Sequence, residues 1–202
     1  MSNISEDVVE AITNEFRDIK EMVTENVKII RLKAPEGSYC LWRFDVYAPT
    51  HYLEGEKDTN AKSTDNISFW LDVKEGYPRT KPCVYFKPDF RLAGSNTFRN
   101  GTECIDEWKY DVDHASGNSS LLTTVRKTIK DIIHDPSVAR FDSPANGDMI
   151  NWQKKNIDNH SFPTCSLSHV FKMDDGTAIN EPPALPTKRV ANNNPPTLPV
   201  RQ

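Results

Sequence analysis

The chain has 202 residues, with 25 Lys plus Arg against 29 Asp plus Glu, a formal charge of -4 and 37% hydrophobic residues. That length suits one ordinary core with a tail, and a core of about 150 residues buries roughly 68–70% of its unfolded surface without help from disulfides or metal. Lys and Arg form no concentrated block of the kind that counterion release requires, so nucleic acid is not an expected partner.

The N-terminus has neither a basic start nor an apolar stretch of signal-peptide length, and no run approaches the ~18 apolar residues of a membrane span. A soluble, cytoplasmic protein is expected, with no membrane partner. Val9, Ile12, Phe16, Ile19 and Val23 recur at three- and four-residue steps, which predicts an amphipathic helix from about Ser5 to Glu25. Ser5 suits its N-cap, Glu6 and Asp7 the positive end of its dipole, and Ile4 with Val9 a hydrophobic staple. Val27 to Leu32, Tyr39 to Tyr47 and Ile67 to Val73 read as strands, the last two with period-two patterns through Trp42, Phe44, Val46 and Ile67, Phe69, Leu71. Short links predict an antiparallel meander. Thr50 to Asn66 is polar and reads as a mobile insertion at a hairpin tip.

Tyr77-Pro78 to Pro82 breaks the pattern, and Cys83 to Phe86 makes a fourth short strand. From Lys87 to Asn118 no clean periodicity exists, and a loop of that length in a compact domain is more often functional than idle. Leu122, Val125, Ile129, Ile132 and Ile133 mark a second helix, opened by Ser119 or Ser120 and stopped before Asp135-Pro136. A third helix opens at Ser143-Pro144 and carries Ala145, Met149 and Trp152 inward to about Asn156. Strands and helices are segregated, so the fold class is α+β rather than a doubly wound parallel sheet.

The last 43 residues hold seven of the fourteen prolines. Pro182-Pro183-Ala184-Leu185-Pro186-Thr187-Lys188 is repeated thirteen residues later as Pro195-Pro196-Thr197-Leu198-Pro199-Val200-Arg201. Both copies set prolines on one edge of a three-residue-per-turn polyproline II helix and end in a cation, the pattern of a peptide ligand and, with two copies, a bivalent one. A merely solvated tail would have the same composition.

Cys40, Cys83, Cys104 and Cys165 lie far apart with no C-x-x-C pair, so no metal site and no dithiol is expected. Cys40 and Cys83 stand in strand-like runs and read as core. Cys165 lies in the poorly patterned stretch Ser161 to Met173 and has no evident role. Cys104 is different: Glu103, Asp106 and Glu107 around it are too polar for a core strand, which points to a nucleophile.

Tyr77-Pro78 to Pro82, Asn96, Gly101, Cys104-Ile105-Asp106, Asp135-Pro136 and Ser143-Pro144 stand in series over about residues 5 to 156. In this the sequence resembles the ubiquitin-conjugating enzymes, whose pattern is a Tyr-Pro then Pro turn, a strand, His-Pro-Asn, Gly-x-aliphatic-Cys-Leu-Asp, and a helix ending near Asp-Pro. Asn96 stands eight residues before Cys104, as the family's asparagine does. Gly94-Ser95 replaces His-Pro, Glu103 replaces an aliphatic residue, and Trp108 falls closer to the cysteine than the family's tryptophan. The resemblance implies a catalytic domain over residues 1–158, leaving an unassigned extension over 159–175 and a Pro-rich tail, expected to be disordered, over 176–202.

The chemistry follows from residue types as well. A thiolate beside an amide donor is what acyl transfer through a thioester requires: sulfur takes the acyl group, and the amide N–H receives the oxyanion formed when an amine attacks. No His with a partner carboxylate stands near Cys104 by spacing, and His114, flanked by Asp111 and Asp113, reads as a solvated loop residue. A carrier is therefore favoured over a cysteine hydrolase. Glu103 beside Cys104 would, if anything, raise the thiol above its free value near 8.5.

The resemblance further implies that Cys104 receives ubiquitin or a ubiquitin-like protein from an activating enzyme and passes it to a target amine. Asn96 would be the oxyanion donor, and Asp142 or Ser143 would position the amine, although Asp142-Ser143-Pro144 is also an ordinary helix start. No cofactor is expected, since the activating enzyme spends the ATP. The helix face around Arg17, Lys20 and Glu21 would meet that enzyme, and the turn Arg79-Thr80-Lys81 with the loop after Asp135 would meet a ligase. A polyproline-binding domain would engage residues 182–201. The alternative is a non-catalytic module of the same fold that acts as an adaptor through its tail.

Overall fold

In a computed structural model of the chain, residues 4–54, 62–87, 90–92, 97–98, 100–103, 121–133 and 165–172 are described. They form an α+β structure in the order α1 (Glu6–Met22), β1 (Val27–Leu32), β2 (Ser38–Val46), β3 (Thr50–Glu54), β4 (Lys62–Thr64), β5 (Ile67–Lys74), β6 (Cys83–Tyr85), β7 (Phe90–Leu92), α2 (Leu121–Ile133) and α3 (Leu167–Val170). The four strands expected from the sequence make one antiparallel sheet in the order β1-β2-β5-β6.

Alternation decides which face of that sheet is inside. Trp42 pairs with Leu71, Phe44 with Phe69 and Val46 with Ile67, and all six side chains are buried. Because side chains on one face repeat every second residue, this register joins the two apolar patterns into one surface, where Phe44 and Phe69 stack at 4.7 Å. Phe16 of α1 stacks on Trp42 at 4.5 Å, and α2 buries Leu121, Val125, Ile129, Ile132 and Ile133 in the same core.

The segment expected to be a mobile insertion is, at its two ends, a second sheet. β3 pairs with β4 and with β7, in the order β4-β3-β7, and residues 55–61 lie outside the described residues. Thr50 and Leu53 are buried, Tyr52 stacks on Phe90 at 4.7 Å, and the Thr50 hydroxyl donates to the Ile132 carbonyl at the end of α2. Strands of three to five residues are too short for a visible period-two pattern, and β7 sits inside the stretch that lacks periodicity.

α1 differs from expectation at its first turns. Ser5 has the extended N-cap backbone but makes no side-chain cap bond. Val8 packs against the core, whereas Val9 is 47% exposed and Ile4 38% exposed, so no staple closes. The inward line runs Val8, Ile12, Glu15, Ile19, which turns a carboxylate toward the interior. Glu15 accepts hydrogen bonds from the Tyr77 hydroxyl and from the Leu121 N–H, and so caps α2 from another helix. Burial raises its pKa, opposed by those two hydrogen bonds.

Part of the stretch without an assigned role belongs to the core. Val170 and Phe171 are fully buried, and Phe171 bridges Val23 where α1 ends. The Thr24 hydroxyl and the Asn26 amide both donate to the His169 carbonyl, and Lys172 N–H donates to Met22 O at 2.7 Å. Phe171→Ala removes a fully buried ring and is expected to cost about 3–5 kcal/mol, read as a lower denaturant midpoint with the slope unchanged. A loss under ~1 kcal/mol would mean that this segment does not hold the core together.

Candidate functional site

The chain reaches its candidate nucleophile through a small hairpin fastened to β6. Phe98 N–H donates to Thr102 O at 2.7 Å and Gly101 N–H to Phe98 O at 2.9 Å, while Thr97 and Glu103 are antiparallel bridge partners. Gly101 has φ +83°, and a Cβ there would meet the Lys87 carbonyl oxygen at 2.9 Å and that of Phe86 at 3.0 Å. Only glycine takes that backbone and that approach without strain. Asn100 Oδ1 accepts from Thr102 N–H at 3.0 Å, a local brace across the turn. The hairpin adds to the sheet through the Tyr85 and Thr102 bridge, with Phe86 N–H donating to Gly101 O and Glu103 N–H to Val84 O.

Glu103 is the last described residue of that hairpin, and it points into the core at 2% exposure. The Thr128 hydroxyl donates to its Oε2 at 2.6 Å, and Lys127 Nζ lies 3.4 Å from its Oε1. Lys127 lies nearer Asp131, at 2.8 Å, so one ammonium serves two carboxylates. Burial chiefly, and the Asp131 charge next, push the Glu103 carboxyl up to about 8, against the pull of Lys127 and Thr128. Burial opposes the charge on Lys127, but Asp131 and Glu103 outweigh it and its pKa is raised. The polarity of Glu103, read in the sequence as a sign that it stands outside the core, is instead accommodated within it. The residues that accommodate it were not singled out. Thr124 and Thr128, four residues apart on an otherwise apolar buried face, and Lys127 with Asp131 at the same spacing, were the available signal.

The candidate residues Cys104, Asn96, Asp142 and Ser143 lie outside the described residues, as do His114, the helix expected to open at Ser143-Pro144, the stretch after Asp135 and both proline-rich repeats. Arg17, Lys20 and Glu21 are exposed on α1, and Arg79, Thr80 and Lys81 are exposed in the turn between β5 and β6. Tyr77, which opens that turn, is buried with its hydroxyl on Glu15, and its peptide bond to Pro78 is cis. Cys40 is buried, with its thiol pushed up to about 12 mainly by desolvation, and burial also raises half-buried Cys83 and Cys165. Such thiols are poor nucleophiles at neutral pH.

No group of metal-ligating side chains occurs among the described residues, and no helix among them is long and apolar enough to cross a membrane. Compared with known proteins, the chain matches no protein-family model and no curated sequence.

The raised Glu103 carboxyl has a consequence for stability. Its pKa when folded lies above the unfolded value of about 4.3, so the unfolded state binds fewer protons between these values and stability falls as pH rises through them. The contribution is fully present below ~4.3 and lost above about 8. Glu103→Gln removes the titration while keeping an acceptor for Thr128. Denaturation series from pH 5 to pH 9 are expected to show wild type losing more stability than the variant, with the gap widening toward the folded pKa. Parallel pH profiles would mean that Glu103 does not titrate in this range.

Proposed function

We propose that the chain is a ubiquitin-conjugating-type acyl carrier, with Cys104 as the thioester-forming nucleophile. One observation carries the reading: Thr97 and Glu103, the immediate sequence neighbours of Asn96 and Cys104, are antiparallel bridge partners. That bridge brings the strand that follows Asn96 and the strand that precedes Cys104 together as one hairpin.

The fold supports the same reading. A four-stranded antiparallel sheet preceded by one helix and backed by another, with a Tyr-Pro turn before its fourth strand, is the architecture that the sequence resemblance implies. Glu103 occupies the position where the family pattern has an aliphatic residue, and here a buried carboxyl fills it whose desolvation favours the protonated form. Protonated, it adds little negative charge beside Cys104, so it weighs less against thiolate formation than an ionised neighbour would.

In the first step the Cys104 thiolate attacks the thioester carbonyl of the activated modifier, a new C–S bond forms, and the activating enzyme's thiolate leaves. In the second step a deprotonated target amine attacks the Cys104 thioester. The Asn96 amide N–H donates to the oxyanion, the attacking nitrogen gives up a proton to solvent, and collapse breaks the C–S bond, releasing the Cys104 thiolate and leaving an amide. Asp142 and Ser143 position the amine. The transfer draws its driving force from the incoming thioester and calls for no cofactor.

Mass analysis under non-reducing conditions tests the carrier reading. After co-expression with an activating enzyme and a ubiquitin-like protein, wild type is expected to carry a thiol-labile adduct of the modifier's mass, and Cys104→Ser or Cys104→Lys a reductant-stable one. With the activating enzyme shown to be charged, absence of any adduct would favour the adaptor reading. Asn96→Ala is expected to slow discharge to lysine by ~10²–10³ while slowing loading far less. Equal slowing of both steps would count against the oxyanion role.

A further inference from the structure

A cleft of about 200 Å³ lies between α1 and the start of β2. Val9, Ile12 and Phe16 line it from the helix, Tyr39 and Trp42 from the sheet, with Ile4 completing the lining. Ile4 and Val9 are exposed, while Trp42 is 3% exposed and its Nε1–H meets no acceptor among the described residues. Small-molecule sites typically run ~300–1,000 Å³, so this cleft suits one or two side chains of a peptide instead. Aromatic walls pack against proline rings, and a polyproline II segment is already extended before it binds.

We propose that the chain's own first proline-rich repeat, residues 181–189, docks in this cleft. The segment lies outside the described residues, and its reach and its order of charges both select it. The described chain ends at Lys172, fastened to Met22 at the C-terminal end of α1. From there to Pro182 is ten residues, up to ~33 Å of extended chain, whereas α1 rises only ~21 Å from Val23 back to Val9.

Charge order gives the direction. Arg31 lines the cleft and pairs across strands with Trp42, which stacks on Phe16, so a cation stands at the end nearer Lys172. Lys20, 4.8 Å over the Phe16 ring, adds to it. Glu6 and Glu10, exposed and in no ion pair among the described residues, flank Val9 at the other end. A chain leaving Lys172 and running toward the start of α1 presents Glu181 to Arg31 first, then Pro182-Pro183-Ala184-Leu185-Pro186 to the apolar walls, then Lys188 and Arg189 to Glu6 and Glu10. The second repeat follows Asn194 rather than an acid and begins 23 residues beyond Lys172, so it remains available to a separate partner. The docked repeat covers part of the helix that would meet an activating enzyme and competes with it.

NMR of the ¹⁵N-labelled full-length chain tests this at about 0.1 mM, well below the ~mM effective concentration that a short linker creates. Leu185→Asp is expected to move the Trp42 indole signal and the Ile4, Val9 and Ile12 amide signals, and Leu198→Asp to leave them in place. Adding a synthetic peptide of residues 179–190 to the Leu185→Asp protein is expected to return them toward wild type. Arg31→Glu should move the amide signals of residues 181–189 toward those of Leu185→Asp, and Glu181→Arg on that background should reverse the change. Unmoved cleft signals in Leu185→Asp overturn the proposal. So does a dilution-dependent shift, which would mark a second copy as the occupant, or a shift seen only on deleting Met1–Asn3, which would mark the N-terminal residues.

Discussion

A buried carboxylate with one ammonium to share is the constraint around which the candidate site is built. Glu103 enters the core at the end of the hairpin from Thr97, and its desolvation is met by Thr128 and by Lys127, which it shares with Asp131, all on one stretch of α2. Removing a carboxyl from water without partners costs far more than a neutral hydrogen bond returns, so the hairpin and the helix are held in one relative position. The same requirement favours protonation of Glu103. A residue that reads as a surface charge is thus a core residue that sets where the chain enters the segment carrying Cys104.

A second carboxylate does comparable work at the other end of α2. Glu15 leaves the apolar stripe of α1 to accept from Leu121 N–H and from the Tyr77 hydroxyl, joining the first helix, the Tyr-Pro turn and the start of the second helix. The first four N–H groups of a helix lack internal partners, and here one is met from a distance of 106 residues in sequence. The twist of α1 that turns Glu15 inward also leaves Val9 outside, which opens the cleft beside Trp42. Capping, burial and an unfilled apolar cleft are therefore linked through the rotation of one helix.

The proposed carrier role draws on this frame. The thiols of Cys40, Cys83 and Cys165 are all raised by burial and are fillers of the packing. In the proposed transfer the acyl group arrives already activated, so positioning and oxyanion stabilisation are what the protein has to supply.

Periodicity determined much by itself. The apolar repeats of α1 and α2 and the alternation through Trp42, Phe44, Phe69 and Leu71 located both helices and the long strands β2 and β5 to within about three residues, because each is long enough to show its period. The α+β class was legible from the segregation of strand-like and helix-like runs, whereas the need for glycine at 101 rests on a positive φ and on the Phe86 and Lys87 carbonyls that only the fold brings close. Tertiary structure alone decided the rest. β3, β4 and β7 exist because they pair with one another, and Phe171 is core because it bridges Val23. Glu15 and Glu103 turn inward because partners distant in sequence await them. Long-range pairing leaves no period in a run of three to five residues, and the burial of a charge depends on partners that only the folded chain brings within reach.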